Sequence, residues 1–250
     1  MFIKDQGICI RAVDYSETSQ VVTFMTAEHG KVGTMAKGSK RPKSPFGGRI
    51  ELLSYGALVL VDNPNAKLAT LTEFQPRFDI VQGISRSLGA YHSALLATEL
   101  LDKLTGDRDP HAELYQEFLQ FLQEVLASKE VLASLIRFQW ALLREIGLQP
   151  VVDQCANCRT PFTPKWPEIY FSSLANGLVC RDCEGAYAAD RVSVSGPASQ
   201  SLQTMDHLQE AGHEDLEALE RLLITHFTNL LHRRPKTADY VLALPQPSEP

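Results

Sequence analysis

The sequence predicts an α+β multidomain protein: a five-stranded N-terminal barrel, then a helical bundle interrupted by a cysteine-rich insert. Three observations carry this. Residues 1–80 hold five short segments rich in β-branched and aromatic residues, bounded by turn formers. From residue 84 onward apolar residues recur at steps of three and four. Between 151 and 190, four cysteines fall into two Cys-x-x-Cys pairs. The 250 residues suffice for two or three small domains, and 44% apolar with 22% charged residues is ordinary for a globular chain. No apolar run approaches the roughly 20 residues needed to cross a bilayer. The start, MFIKDQGICIRAVDY, interleaves charges where a secretory leader would be apolar. A cytoplasmic protein without a membrane partner is expected.

The five β segments are GICIRAVDY, QVVTFMTA, KVGTMAKG, IELLSYGALVLVD and AKLATLTEFQ. Turn material such as Glu28-His29-Gly30 and Asp62-Asn63-Pro64-Asn65 separates them. Five short strands in so few residues suit a small closed barrel, of which the OB-fold is the common version; an SH3-like barrel would give a similar pattern. Helical spacing follows at Ile84, Leu88, Tyr91 and Leu95, at Leu114, Phe118, Phe121 and Val125, and at Leu132, Leu135, Gln139, Leu142 and Ile146. Gly147 and Pro150 close the last of these. After the insert the rhythm resumes at Leu202, Met205 and Leu208, then at Leu216, Leu219, Leu223, Phe227 and Leu230. The domains expected are therefore 1–80 for the barrel, 81–150 with 191–240 for one helical domain, and 151–190 for the insert. The Pro-rich end, 245–250, is expected to be disordered.

Net charge is −6, which at first speaks against a nucleic-acid partner, but the charge is unevenly placed. Residues 1–80 carry 10 basic and 8 acidic side chains, and the acidity belongs to the rest. Between Glu28 and Glu51 lie Lys31, Lys37, Lys40, Arg41, Lys43 and Arg49 with no acid among them. The stretch KGSKRPKSPFGGR also holds three Gly and two Pro, so a mobile basic loop is expected. It is either a solvated loop or one that tracks phosphates by releasing their counterions.

Cys155-Ala-Asn-Cys158 and Cys180-Arg-Asp-Cys183 stand 21 residues apart. Two tight turns of this kind let four thiolates converge on one Zn²⁺, whereas disulfides need an oxidising compartment and a redox Cys-x-x-Cys needs no second pair. A four-thiolate shell is closed to water, so such a zinc is structural. Cys9 reads as a small buried hydrophobe. No phosphate-binding Gly-rich loop, zincin or nucleophile-elbow motif occurs, the seven histidines are scattered, and no enzyme is expected.

The chain resembles the bacterial RecO recombination mediators along most of its length. The resemblance rests on Tyr15-Ser-Glu-Thr-Ser19, Thr26-Ala-Glu-His-Gly-Lys31, Ala36-Lys-Gly38 with Arg41, Arg137-Phe-Gln-Trp-Ala-Leu-Leu143, Gly147-Leu-Gln-Pro150, both cysteine pairs, Phe171-Ser172 and Gly177-Leu178. It implies an OB-fold, a helical domain with a lodged zinc module, binding to single- and double-stranded DNA, and annealing without nucleotide hydrolysis. It further implies that RecR is a partner, that RecA is loaded onto DNA covered by single-strand-binding protein (SSB), and that RecF and RecA are reached indirectly, at the nucleoid. Lys31, Lys37 and Arg41 take DNA contact from matched motifs; Lys40, Lys43 and Arg49 take it from charge alone. Arg137 matches a basic position in the helix that docks the acidic, Phe-ending SSB tail. Two other readings stay open: a protein–protein adaptor, and an RNA-binding OB protein with a structural zinc.

Overall fold

A computed structural model describes residues 1–62, 66–77, 79–127, 130–203 and 205–243. The expected disordered tail, 245–250, lies outside them. Strands β1 (Phe2–Asp14), β2 (Gln20–Thr26), β3 (Gly30–Ala36), β4 (Tyr55–Val61) and β5 (Ala69–Arg77) close into a barrel in the order β1-β2-β3-β5-β4. All pairings are antiparallel except β3 with β5, and this is the OB-fold connectivity. Closure depends on β1 serving two neighbours. Its first half, from Phe2 to Ile8, pairs with β4, and its second half, from Gly7 to Asp14, pairs with β2.

Between Cys9 and Arg11 the register shifts at a bulge. Ile3 and Cys9 face the barrel core, and beyond the bulge it is Ala12 that packs there. One extra residue thus reverses which parity points inward, and turns Arg11 and Val13 to the outside. Phe24, Leu58, Leu60, Leu71 and Phe74 fill the interior, with the Phe24 and Phe74 rings 5.1 Å apart. Phe46 and Ile50, from the connection between β3 and β4, are buried in the same core.

Helices follow: α1 (Asp79–Ile84), α2 (Leu88–Leu104), α3 (Ala112–Ala127), α4 (Val131–Glu145), α5 (Gly196–Gln203), α6 (His213–Leu231) and α7 (Ala238–Leu242). The expected stripe through Ile84, Leu88 and Tyr91 is broken. Ser87 caps α2, its hydroxyl accepting from the Ala90 amide, so Ile84 belongs to a separate short helix. Leu88 and Tyr91 are exposed, and α2 buries Ala90, Ala94, Ala97, Leu100 and Leu101 instead. On α3, α4 and α6 the expected stripes are buried, apart from Ile146, which lies beyond the end of α4, and the partly buried Leu230.

Gln139, the one polar residue on its stripe, is fully buried. Its amide donates to Glu220 on α6 at 2.9 Å. Burial pushes the Glu220 carboxyl up to about 7 against the opposing pull of that hydrogen bond. The insert contributes β6 (Ile169–Ser172) and β7 (Gly177–Cys180), with β8 (Val192–Ser193) completing a sheet of order β7-β6-β8. The chain divides into two compact units: Met1–Tyr91 with Thr98–Leu126, and His92–Ala97 with Ala127–Pro250.

Candidate nucleic-acid interface and metal centre

The basic connection between β3 and β4 is anchored rather than loose. The Gly38 amide donates to the Ser19 hydroxyl and the Lys40 amide to the Thr18 carbonyl. At the far end the Gln20 side chain both donates to and accepts from the Ile50 backbone, at 3.1 and 3.0 Å. Gly38, with φ of +72°, makes the tight turn that returns an Arg41 amide to its own carbonyl. The stretch expected to be a mobile loop is thus tied to the barrel at both ends and through Phe46 in the core.

The six expected DNA contacts do not behave alike. Lys37, Arg41 and Lys43 are exposed and make no ion pair among the described residues. Lys40 and Arg49 share Asp14, with Lys40 Nζ 3.1 Å and Arg49 Nη2 3.0 Å from its carboxylate oxygens. That arrangement, Lys40 first and Arg49 second, holds the Asp14 carboxyl below its usual range. Lys31 points elsewhere. Its side chain is 9% exposed, and its ammonium donates to the Asp102 and Thr105 carbonyls, both at 2.7 Å. Those carbonyls belong to the last turn of α2 and the residue that caps it, where a cation is favoured. Gly30, beside it, has φ of +65°, and a β-carbon there would lie 1.9 Å from the Asp109 carbonyl oxygen. The Glu28-His29-Gly30-Lys31 turn is thus committed to holding the α2–α3 connection against β3.

Among aromatic residues of the barrel, the kind of side chain on which nucleobases stack, Phe24, Phe46 and Tyr55 are buried and Tyr15 is 68% exposed. The outer face of β1, β2 and β3 carries a groove of about 490 Å³ that sequence reading did not find. Arg11, Lys67, Lys103 and Arg108 line it together with Lys31. Arg11 was hidden by the bulge that turns it outward, and Lys67, Lys103 and Arg108 are scattered along the chain.

In the insert, the four cysteine sulfurs lie within 4.8 Å of one another. Cys158 and Cys180 sulfurs are 3.7 Å apart, close to the edge of about 3.8 Å for a tetrahedron with bonds near 2.3 Å, and far beyond a disulfide. The first knuckle is docked on β7 by the Ala156 amide donating to the Leu178 carbonyl, and the Cys180 amide donates to Cys155 Sγ. Leu178 in turn donates to Val151, and a β-carbon on Gly177 would lie 2.3 Å from that Val151 oxygen. Hydrogen bonds from Thr160, side chain first, bring the Cys158 thiol down to about 6, while burial pushes Cys180 up to about 12. Asn157 donates to Cys183 Sγ, an outer-shell contact of the kind that orients thiolates. All four donors are soft and convergent, so the residues fit one tetrahedral metal ion. Cys9, by contrast, is fully buried in the barrel, which pushes its thiol up to about 12. Arg137 is half-buried on α4, between buried Ile136 and Phe138. Among the described residues no helix is long and apolar enough to cross a membrane.

Comparison with known proteins is consistent across the chain. Residues 1–77 match the family model described as Recombination protein O N terminal, and 85–239 match Recombination protein O C terminal. The chain is similar to the DNA repair protein RecO of Rhodopirellula baltica, 34% identical over 83% of this chain and 74% of that protein. The DNA repair protein RecO of Anaeromyxobacter sp. strain K is 29% identical over 93% of this chain and 94% of its own length. That of Bacillus subtilis is 29% identical over 73% of this chain and 69% of its own.

Proposed function

The chain belongs to the RecO family of DNA repair proteins, and from that premise we propose that it is a non-enzymatic recombination mediator. It binds single- and double-stranded DNA, anneals complementary strands and, with RecR, helps load RecA on DNA covered by SSB. RecF is reached through that assembly, and the protein works in the cytoplasm at the nucleoid. The barrel, 1–80, is the DNA-binding domain; the helices of 81–150 and 191–240, which divide between the two compact units, include the one that carries Arg137; 151–190 is the zinc-binding insert.

One observation carries the reading. Lys37, Arg41 and Lys43 stand exposed and without an ion pair among the described residues, on a loop whose backbone is tied to the barrel. Preplaced cations lose little entropy on meeting phosphates, and the gain comes from counterion release. Lys40 and Arg49 flank them but divide their charge with Asp14. Lys31 supports the frame rather than the contact. Arg137 takes the terminal carboxylate of the SSB tail.

Cys155, Cys158, Cys180 and Cys183 would hold one zinc ion, which supplies structure to an insert poor in large apolar residues. Its coordination would be complete with protein ligands, so the chain's contribution there is to fix the two knuckles against β7.

The test is anisotropy of labelled single- and double-stranded DNA with the protein at several salt concentrations. Binding that weakens steeply with salt, and a smaller slope in the variant Lys37→Gln, Arg41→Gln, Lys43→Gln, support the proposal. Unaltered binding in a folded variant moves the reading to an adaptor, and preferential displacement of DNA by matched RNA moves it to RNA.

A further inference from the structure

The barrel holds a second recess, at the end where β1 and β5 begin and β4 finishes. Its floor is apolar core: Ile3 and Leu60, partners across the β1–β4 pair, with Val32 and Ala69 beside them. The rim is polar and carries Glu28, His29, Asp62 and Arg108. Met1 also borders the recess, but at 85% exposure its side chain does not fill it.

Two arrangements hold the rim. Arg108 has φ of +59°, which is unfavourable for a residue with a β-carbon. It is kept there by its amide donating to the Lys31 carbonyl and by two guanidinium hydrogen bonds of 2.7 Å to Asp62. Opposite, His29 Nδ1 lies 2.7 Å from Asp5 Oδ2, and the Asp5 side chain is 1% exposed. Asp5 also accepts from the Gln6 and Glu28 amides, so it is an acceptor throughout and the His29 proton sits on Nδ1. In the neutral ring Nε2 therefore carries a lone pair, and it has no partner among the described residues.

The charges decide what this rim can recognise. The Arg108 guanidinium is engaged by the Asp62 carboxylate, and the Met1 amino group donates to the Asp62 carbonyl at 2.8 Å. Asp5 is engaged by His29 and two amides. What remains is His29 Nε2 and the exposed Glu28 carboxylate, which makes no hydrogen bond or ion pair among the described residues. Both are acceptors. An anion would meet no free donor here, whereas an ammonium would meet two acceptors above an apolar floor.

Size and orientation narrow the ligand further. The recess measures about 260 Å³, below the roughly 300 Å³ at which drug-sized sites begin, so its occupant is short. Its ammonium belongs at the rim and its apolar end on the floor. A lysine side chain is built the other way round: with its ammonium at the rim, its backbone would lie on the floor, where amide groups find no partners. A diamine would place its second charge there.

We propose that this recess binds a primary monoamine with a short apolar tail. The ammonium donates to Glu28 and His29 Nε2, and the tail lies on Ile3, Val32, Leu60 and Ala69. A free alkylamine has this chemistry, and so does the N-terminal residue of a peptide when its side chain is apolar. The site uses none of the residues assigned to DNA contact and stands independently of them.

The experiment titrates n-pentylamine into methyl-labelled protein and follows the Ala69 and Leu60 methyl resonances by NMR. Saturable shifts at millimolar amine are expected, and n-butylamine should bind about fourfold more weakly for its missing methylene. Pentanoate and a terminal diaminopentane should each bind about tenfold more weakly than pentylamine, or worse. Glu28→Gln, a change at an exposed position whose folding thermal melting checks, should weaken pentylamine about fivefold. The peptide Leu-Gly-Gly separates the two sources. If it shifts the same methyls the ligand is a peptide terminus, and if pentylamine alone does so the ligand is a free amine; either result supports the site. Methyls that respond to neither compound overturn the proposal. So does pentanoate binding as tightly as pentylamine, or pentylamine binding that is unaltered in a folded Glu28→Gln.

Discussion

Replacing Glu220 by Gln tests a fully buried acid of the helical core. In the folded protein Gln139 donates to one Glu220 oxygen, while Gln139 Oε1 and Glu220 Oε2 are both buried without a partner. A proton on Glu220 would let it donate back to Gln139 and satisfy both. Burial raises its folded pKa from the ordinary 4.5 to about 7. Below about pH 4.5 the group is neutral in both folded and unfolded chains, and its pairing is fully retained. As pH rises toward 7 the unfolded chain ionises first and gains stability, so folding weakens; above 7 the loss levels off. A shift of this size is worth roughly 3 kcal/mol at about 1.4 kcal/mol per pH unit. Glutamine at 220 can make a reciprocal amide pair and never ionises. Its stability relative to wild type should therefore grow from near zero at pH 4 to about 3 kcal/mol at pH 8. Urea unfolding followed by fluorescence suits this, because both tryptophans, Trp140 and Trp166, lie in the unit that contains the pair. A difference that stays constant across this pH range would refute the reasoning, since it would mean that Glu220 titrates alike in both states.

His226 should behave in the opposite sense. Burial lowers it from 6.5 to about 4, so stability is lost as pH falls through that window, and His226→Phe should flatten the acid limb of the same unfolding series. Gly177→Ala should cost about 2 kcal/mol and speed metal loss to a chelator, because its β-carbon meets the Val151 carbonyl on which β7 and the first knuckle are docked; urea midpoints and chelator-release kinetics read this out. Lys31→Met should lower the melting temperature while leaving the salt slope of DNA binding as in wild type, since its ammonium serves the end of α2. The protein as purified should contain one zinc per chain by elemental analysis, and Cys155→Ser should release it together with the insert's protease resistance.

Much of this architecture was legible in the sequence for identifiable reasons. The five strands are rich in β-branched and aromatic residues and punctuated by turn residues, and the cysteine pairs carry their geometry in their spacing. Where reading failed, a local pattern was overruled by something distant. Lys31 reads as one more cation of a basic run, yet the carbonyls that capture it lie 71 and 74 residues away. Arg11 carries no local signal that marks it as part of a groove, and only the bulge turns it out. Ile84 kept helical step with Leu88 by coincidence, because Ser87 starts a new helix between them. Gln139 broke an apolar stripe, and its reason, Glu220, stands 81 residues further along.

The central claim is tested most directly by strand annealing of complementary oligonucleotides coated with SSB, at two salt concentrations and without ATP. The account predicts annealing faster than the protein-free control and weaker at the higher salt. A folded, metal-loaded protein that gives no acceleration would contradict it.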